Sequence, residues 1–320
     1  MNANKLLILG VTASGKGRLA FDLAEILGAE IISIDSMKVY RRMDIGTAKP
    51  PKEARKSVKY HLIDIVEPSE TFGVATFLEL ASKAIKQIKR RNKSIVAVGG
   101  TPMYIKALLY GLFQGPGTDE QIRRQLQARA ETEGLEQLYR ELANIDPIAA
   151  DRIHPNDSKR IVRALEVYQL TSKPISSFQQ QWRKNQPTAE QNIPHNWTII
   201  GLQRQKADTS SRINKRVKKM LAAGLVDEVK SLLAEDKPLS PQARCAIGYV
   251  EIIDYLNGKI SLEDATELIK KNTRRLAKNQ RTWLKTFKNV NWLNIKPDEQ
   301  PEKILSRAKN LLKKLNRIDL

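Results

Sequence analysis

Apolar and polar positions follow two rhythms along this chain. Short continuous apolar runs, KLLILG at 5–10, EIISID at 30–35, YHLIDI at 60–65 and SIVAV at 94–98, predict strands covered on both faces, as in a parallel sheet. Between them the apolar positions recur three and four apart. Arg18–Leu27 and Thr76–Arg90 read as helices, the second with Phe77, Leu80, Ala81, Ala84, Ile85 and Ile88 on one face, and MYIKALLYGL at 103–112 reads as a third. Strands alternating with helices predict an α/β fold. After the break at Gly115-Pro116-Gly117, everything to about Trp182 reads helical, with no strand signal for some sixty residues. A capping box at Thr118-Asp119-Glu120-Gln121 opens a helix that stops at Gly134. Further helices cover Leu135–Ala143, start at Asp146-Pro147, and cover Ser158–Leu170 behind His154-Pro155-Asn156-Asp157. Gln179–Pro194 reads as a polar connection, and NWTIIGL at 196–202 returns to strand. Helices follow from Arg212 (broken at Gly224), from Ala246 to Leu256, and from Leu262 to Lys288. Val290–Leu293 is a last short strand, and Pro301–Leu315 a terminal helix with Ile304, Leu305, Ala308, Leu311, Leu312 and Leu315 inward. The expected organisation is a phosphate-loop parallel-sheet core over 1–115, an all-helical insertion over 116–196, and completion of the core with a helical, basic C-terminal region over 197–320.

Charge changes the picture most. The 320 residues carry 55 Lys+Arg against 35 Asp+Glu, a net +20, which predicts a polyanionic partner. Residues 201–320 hold 26 of the cations and 14 of the acids, so +12 of the +20 lies there. Lys270, Lys271, Arg274, Arg275, Lys278, Arg281, Lys285 and Lys288 have no acid between them, and their spacing puts most of them on one helical face. Leu276, Ala277 and Trp283 are expected to turn toward the body. Such a face points to nucleic acid rather than to an ordinary solvated surface. No apolar run approaches the roughly eighteen residues of a spanning helix, and MNANKLLILG runs straight into a strand rather than forming a signal peptide. A cytoplasmic monomer without a membrane partner is expected. The single cysteine, Cys245, excludes an internal disulfide framework and a multi-cysteine zinc site, and is expected to be a buried filler.

The candidate chemistry starts at Gly10-Val11-Thr12-Ala13-Ser14-Gly15-Lys16, the spacing G-x-x-x-x-G-K between a strand and a helix. Glycines let backbone N–H groups face an anion, Lys16 adds a point charge, and the helix N-terminus adds its dipole. Gly17 stands where Ser or Thr would place a hydroxyl on Mg²⁺. The loop therefore suits holding a diphosphate better than cleaving a triphosphate. Asp35 ends the second strand and Thr101 follows Gly99-Gly100, so both lie with Lys16 at the carboxyl rim of the sheet, where such folds bind ligands. Asp35 is a general base, a metal ligand or a cap, and Thr101 a site hydroxyl or a cap. His61 reads as structural. Arg160 and Arg163 share a face with Lys159 beside them, as do Arg212 and Arg216. Three readings fit: transfer between a small diphosphate and an RNA, a phosphate-loop kinase of a small molecule or nucleotide, or a non-catalytic RNA-binding protein with a degenerate loop.

The chain resembles the tRNA dimethylallyltransferases, also called tRNA isopentenyltransferases. The resemblance rests on TASGK (12–16), EIISIDSMKVYRRMDIGTAKP (30–50), VGGTPMYIKALLYGL (98–112), RIHPNDSKRIVRALEVYQLT (152–171), IGY (247–249) and TRRLAKNQRTW (273–283). It implies transfer of a dimethylallyl group from its diphosphate to the exocyclic amine of adenosine at position 37 of a tRNA anticodon stem-loop. It further implies Asp35 as base and Thr101 orienting the diphosphate or the nucleophile. Gly10, Val11, Thr12, Ala13, Ser14, Gly15, Lys16, Gly17 and Arg212 would hold the diphosphate. The implied tRNA contacts are Asp35, Ser36, Met37, Lys38, Thr101, Arg123, Lys159, Arg160, Ile161, Val162, Arg163, Gly248, Tyr249, Arg274, Lys278, Arg281 and Lys285. Mg²⁺ is the implied cofactor. The sequence departs from the family pattern at Val11 (usually Pro), at Gly17, at Asn279 and Lys285 (commonly Arg), and at Val250 (commonly basic).

Overall fold

The structure, a computed structural model, describes residues 5–112, 115–179 and 197–315. The polar connection expected over 179–194 lies outside them apart from Gln179. The chain divides into two compact units, Met1–Leu109 with Pro194–Leu320, and Tyr110–Ile193. The first stretch runs β1 (Lys5–Gly10), α1 (Lys16–Ile26), β2 (Glu30–Ile34), α2 (Lys52–Ser57), β3 (Tyr60–His61), α3 (Val74–Arg90), β4 (Ile95–Gly99) and α4 (Pro102–Tyr110). Then come α5 (Glu120–Thr132), α6 (Leu135–Ile145), α7 (Pro147–Ala150), α8 (Ser158–Thr171) and α9 (Ile175–Phe178). The chain resumes with β5 (Trp197–Arg204), α10 (Lys206–Ala222), α11 (Leu225–Leu233), α12 (Pro241–Arg244), α13 (Tyr249–Leu256), α14 (Leu262–Leu284), β6 (Val290–Ile295) and α15 (Pro301–Lys314).

The larger unit is built on a six-stranded sheet of order β3-β2-β4-β1-β5-β6 with every pair parallel. Leu6–Leu9 of β1 are almost wholly buried, because strands on both sides and helices on both faces exclude water. On one face Leu19 and Leu23 of α1 and Ile304, Ala308 and Leu312 of α15 cover Leu6, Ile8, Ile31, Val96 and Ile200. On the other, α3 packs on β2 and α14 on β1. The apolar face read for α3 holds: Phe77, Ala81, Ala84 and Ile88 are buried. The α15 face is narrower than expected, since Leu315 is exposed at 37%. The connections after β1 lead to β2, β3 and β4 on one side, and the chain then crosses to β5 and β6 on the other. Such a reversal opens a crevice at the carboxyl ends of the strands.

Several local expectations give way to tertiary contacts. YHLIDI yields only two strand residues, because Leu62 (φ 62°) and Asp64 (φ 54°) turn the chain away. Asp64 is held there by Lys49 at 2.5 Å and by Arg55. His61 is structural, its Nε2 2.7 Å from Oε2 of buried Glu30, which also takes two N–H donors from Arg91 at 3.0 and 2.8 Å. Helix α10 begins at Lys206 rather than Arg212. Cys245 is exposed, not a buried filler, because it sits just past the single turn of α12.

The smaller unit is helical throughout its described part, with Leu126, Leu138, Leu142, Ile161, Leu165 and Val167 among its core. Asp119, rather than Thr118, caps α5, accepting from the N–H groups of Gln121 and Ile122. Buried Asp146 caps α7 through Ala149 N–H at 2.9 Å and also takes Ser176 N–H at 2.8 Å, tying α9 in place.

Candidate active site

Strand register sets the site. Leu9 and Ile34 both pair with Gly99, so the residues that follow them, Gly10, Asp35 and Gly100, emerge at one level of the sheet edge. Gly99 must be glycine, since a Cβ there would stand 2.1 Å from the Ile34 carbonyl oxygen. At Gly100 a Cβ would meet Gln280 Nε2 at 2.7 Å and the Gly10 oxygen at 2.9 Å, and would lie 3.4 Å from Lys16 Nζ. The two glycines let this turn close on the phosphate loop and bring Thr101, which opens α4, to the same rim.

The loop itself is wound tightly. Ala13 (φ 62°) and Gly15 (φ 96°) take left-handed conformations, Ser14 N–H donates to the Val11 carbonyl at 3.2 Å, and α1 starts at Lys16. Lys16 Nζ donates back to the Val11 carbonyl at 3.1 Å. Three arginines and a glutamine from distant segments brace this wall. Arg204 Nε donates to the Ser14 carbonyl at 2.9 Å, Arg212 Nε to the Ala13 carbonyl at 2.9 Å, and Arg216 Nη2 to Thr12 Oγ1 at 2.9 Å. Buried Gln280 of α14 accepts from Thr12 N–H at 2.7 Å and donates to the Gly100 carbonyl at 2.7 Å. Sequence reading placed Arg212 here but missed the other three. Arg216 was legible only as the i+4 neighbour of Arg212, and Arg204 and Gln280 carry no local signal.

Asp35 faces this cluster. Its Oδ1 accepts from Met37 N–H at 2.9 Å and Lys38 N–H at 3.2 Å, so the carboxylate caps a tight turn rather than a helix. Two N–H donors on one oxygen orient the group and leave Oδ2 without a hydrogen bond among the described residues. Burial, together with neighbouring Lys38 and Arg216, brings the Lys16 ammonium down to about 7, against the pull of Asp35. Burial also lowers Lys38, Arg212 and Arg216. A site that strains its own cations in this way is electrostatically prepared for an anion.

The fit to magnesium is poor. Gly17 offers no hydroxyl, and among the described residues no three His, Cys, Asp or Glu side chains gather to hold an ion.

The expected RNA-facing residues divide. Lys159 and Arg160 are exposed on α8, and Lys278 and Lys285 on and just past α14. Lys206, Ile213, Arg274, Arg275, Lys278 and Arg281 line a groove of about 280 Å³ between α10 and α14, with Arg274 braced on Asn214 Oδ1 at 2.7 Å. Ala277 is buried beneath it as expected, but Leu276 points outward at 39% exposure, because the inward stripe runs Ala265, Ile269, Ala277, Gln280, Leu284. Five of the expected RNA-facing residues are engaged within the protein itself. Ile161 and Val162 belong to the core of the helical unit and present no side chain to RNA. Arg123 and Arg163 neutralise the fully buried Glu166, at 3.0 and 2.6 Å. Arg163 also donates to the carbonyls of Pro116 and Gly117 at 2.7 and 2.9 Å. Tyr249 is fully buried, its hydroxyl donating to Glu228 Oε1 at 2.6 Å, while Glu228 accepts from the N–H groups of Asp44, Ile45 and Gly46. Gly248, at φ 97°, starts α13 and aims Tyr249 at Gly46, where a Cβ would lie 2.4 Å from the ring. Within the IGY motif, Gly248 and Tyr249 thus support the loop at 44–46.

Comparison with known proteins places this geometry. The model of the family described as IPP transferase matches residues 38–287. A tRNA dimethylallyltransferase of Geobacter metallireducens is 48% identical over 288 residues, spanning 90% of this chain and 91% of that protein. One of Acetivibrio thermocellus is 44% identical over 310 residues, 97% of each. Among solved structures, the tRNA isopentenylpyrophosphate transferase of Bacillus halodurans superposes with a TM-score of 0.70 at 38% identity, covering 97% of this chain and 96% of that one. A eukaryotic dimethylallyltransferase acting on tRNA superposes with a TM-score of 0.80 at 27% identity, covering 99% of this chain and 80% of that one.

Proposed function

We propose, from the premise that the chain belongs to the IPP transferase family, that it transfers a dimethylallyl group from dimethylallyl diphosphate to the exocyclic amine of adenosine 37 in a tRNA anticodon stem-loop. The observation that carries this reading is the convergence of Lys16, Asp35 and Thr101 at one rim, with Arg212 and Arg216 behind them. The amine is a poor nucleophile, because its lone pair is delocalised into the purine. Asp35, anchored through Oδ1, accepts the amine proton on Oδ2 as the nitrogen–carbon bond forms. The allylic carbon–oxygen bond breaks, and the electron pair leaves with the diphosphate. Lys16, the loop amides, Arg212 and Arg216 stabilise that growing charge, and the Thr101 hydroxyl orients the leaving oxygen or the amine. An anticodon loop lets the adenine leave its stack at low cost. Exposed Lys159, Arg160, Lys278 and Lys285 and the groove between α10 and α14 offer contacts to RNA phosphates. No described helix is long and apolar enough to cross a membrane, and a tRNA substrate puts the work in the cytoplasm.

The test is transfer of label from dimethylallyl diphosphate to an unmodified anticodon stem-loop bearing A37, with Asp35→Asn run in parallel. Wild-type protein should label the RNA, and the variant should lose about 10²-fold or more in rate while still binding RNA. An unlabelled stem-loop in the wild-type reaction would overturn the assignment, and an active Asp35→Asn would remove the base.

A further inference from the structure

Magnesium and this phosphate loop do not match, and the rim shows what takes the metal's place. A phosphate loop holds its metal through the hydroxyl after the lysine, aided by a carboxylate near the phosphates. Here that position is Gly17, exposed in the first turn of α1, where an added Cβ would meet nothing within 4 Å. The hydroxyl is missing although there is room for it. In its stead the rim gathers positive charge. Lys16, Lys38 and Arg216 lie within electrostatic reach of Asp35, and Arg212 reaches the loop from beside Asp208, which Arg204 already pairs at 2.8 Å, and Asp298. A bare divalent cation is repelled by such a group, whereas a diphosphate is attracted. Each guanidinium has five N–H donors; Arg212 and Arg216 each use one on the loop wall. Their forks suit phosphate oxygens, and their charge does not titrate away.

We propose that this protein holds its diphosphate through Lys16, Lys38, Arg212, Arg216 and the loop amides without supplying a metal ligand, so that diphosphate binding does not require Mg²⁺. The proposal rests on the reading of this site as a diphosphate cradle. Any magnesium at the site then arrives on the diphosphate and is bound to the protein only through it.

Calorimetric titration of the purified full chain with inorganic diphosphate, once with EDTA and once with excess Mg²⁺, tests this, with thermal unfolding confirming that each variant folds. Wild-type affinity in EDTA should be no more than about threefold weaker than in Mg²⁺, about 0.65 kcal/mol. Gly17→Thr should gain about tenfold in Mg²⁺ and nothing in EDTA. Arg216→Gln should lose about tenfold or more in EDTA. Wild-type binding weakened beyond threefold by EDTA overturns the proposal while leaving the cradle intact. Binding in neither buffer overturns the cradle reading as well, which separates the two failures.

Discussion

Gln280 joins the two halves of the rim, and its replacement by leucine tests that role. The side chain is 7% exposed and makes two hydrogen bonds of 2.7 Å, from Thr12 N–H and to the Gly100 carbonyl. Leucine has nearly the same volume, so the change opens little cavity but leaves a buried donor and a buried acceptor unpaired. Each orphan costs about 1–3 kcal/mol, so the two together cost about 2–6 kcal/mol. Thr12 N–H lies in the diphosphate cradle, so the loop should also drift. A displacement of about 1 Å at a reacting centre costs on the order of 10²-fold in rate. Gln280→Glu separates the effects: it keeps the acceptor for Thr12, loses the donor to Gly100, and adds a negative charge beside the diphosphate. Urea unfolding reads the stability loss, and steady-state transfer of dimethylallyl to a stem-loop reads the rate. The leucine variant should lose both stability and kcat/KM. The glutamate variant should lose less stability but more diphosphate affinity than leucine. A leucine variant within about 0.5 kcal/mol of wild type, with unchanged kcat/KM, would refute the bridging role.

Three further outcomes are expected. With Lys16 drawn down to about 7 by burial and by Lys38 and Arg216, the free protein carries that charge below pH 7 and loses it above. Relative to Lys16→Arg, which cancels the ligand's own titration, wild-type diphosphate affinity should fall above pH 7 by up to about tenfold per pH unit; a ratio constant from pH 6 to 9 would contradict this. Glu30 is raised by burial but pulled to about 2, below its ordinary 4.5, by hydrogen bonds from Arg91 and His61. Its stabilising contribution is therefore complete above pH 4.5 and lost as pH falls through 2. Unfolding curves of wild type against Glu30→Gln should converge by about 3 kcal/mol over that acid range, and parallel curves would argue against the pair. Tyr249→Phe removes the bond to Glu228 and should cost about 1–2 kcal/mol of stability with little change in stem-loop affinity measured at saturation of folded protein. Selective loss of RNA affinity would instead restore Tyr249 as a contact.

The sequence by itself determined the elements and the local machinery. Alternating apolar runs and 3.6-residue stripes report which side of each segment meets water, and so marked β1, β2, β4 and the face of α3. The G-x-x-x-x-G-K spacing and the Gly99-Gly100 turn were readable because their geometry depends on a few adjacent residues, as was the placement of Asp35 at a strand end. Tertiary structure alone decided which partner each long polar side chain takes. Gln280 reaches Thr12 across 268 residues of sequence, Arg216 reaches Thr12 across 204, and Arg204 reaches Ser14 across 190. The ion pairs of Arg123 and Arg163 with buried Glu166, and the bond from the Tyr249 hydroxyl to Glu228, have no local sequence signal either. The physical reason is that periodicity encodes burial, which each residue experiences through its own element. The partner of a buried polar group is chosen by which segments the fold brings together.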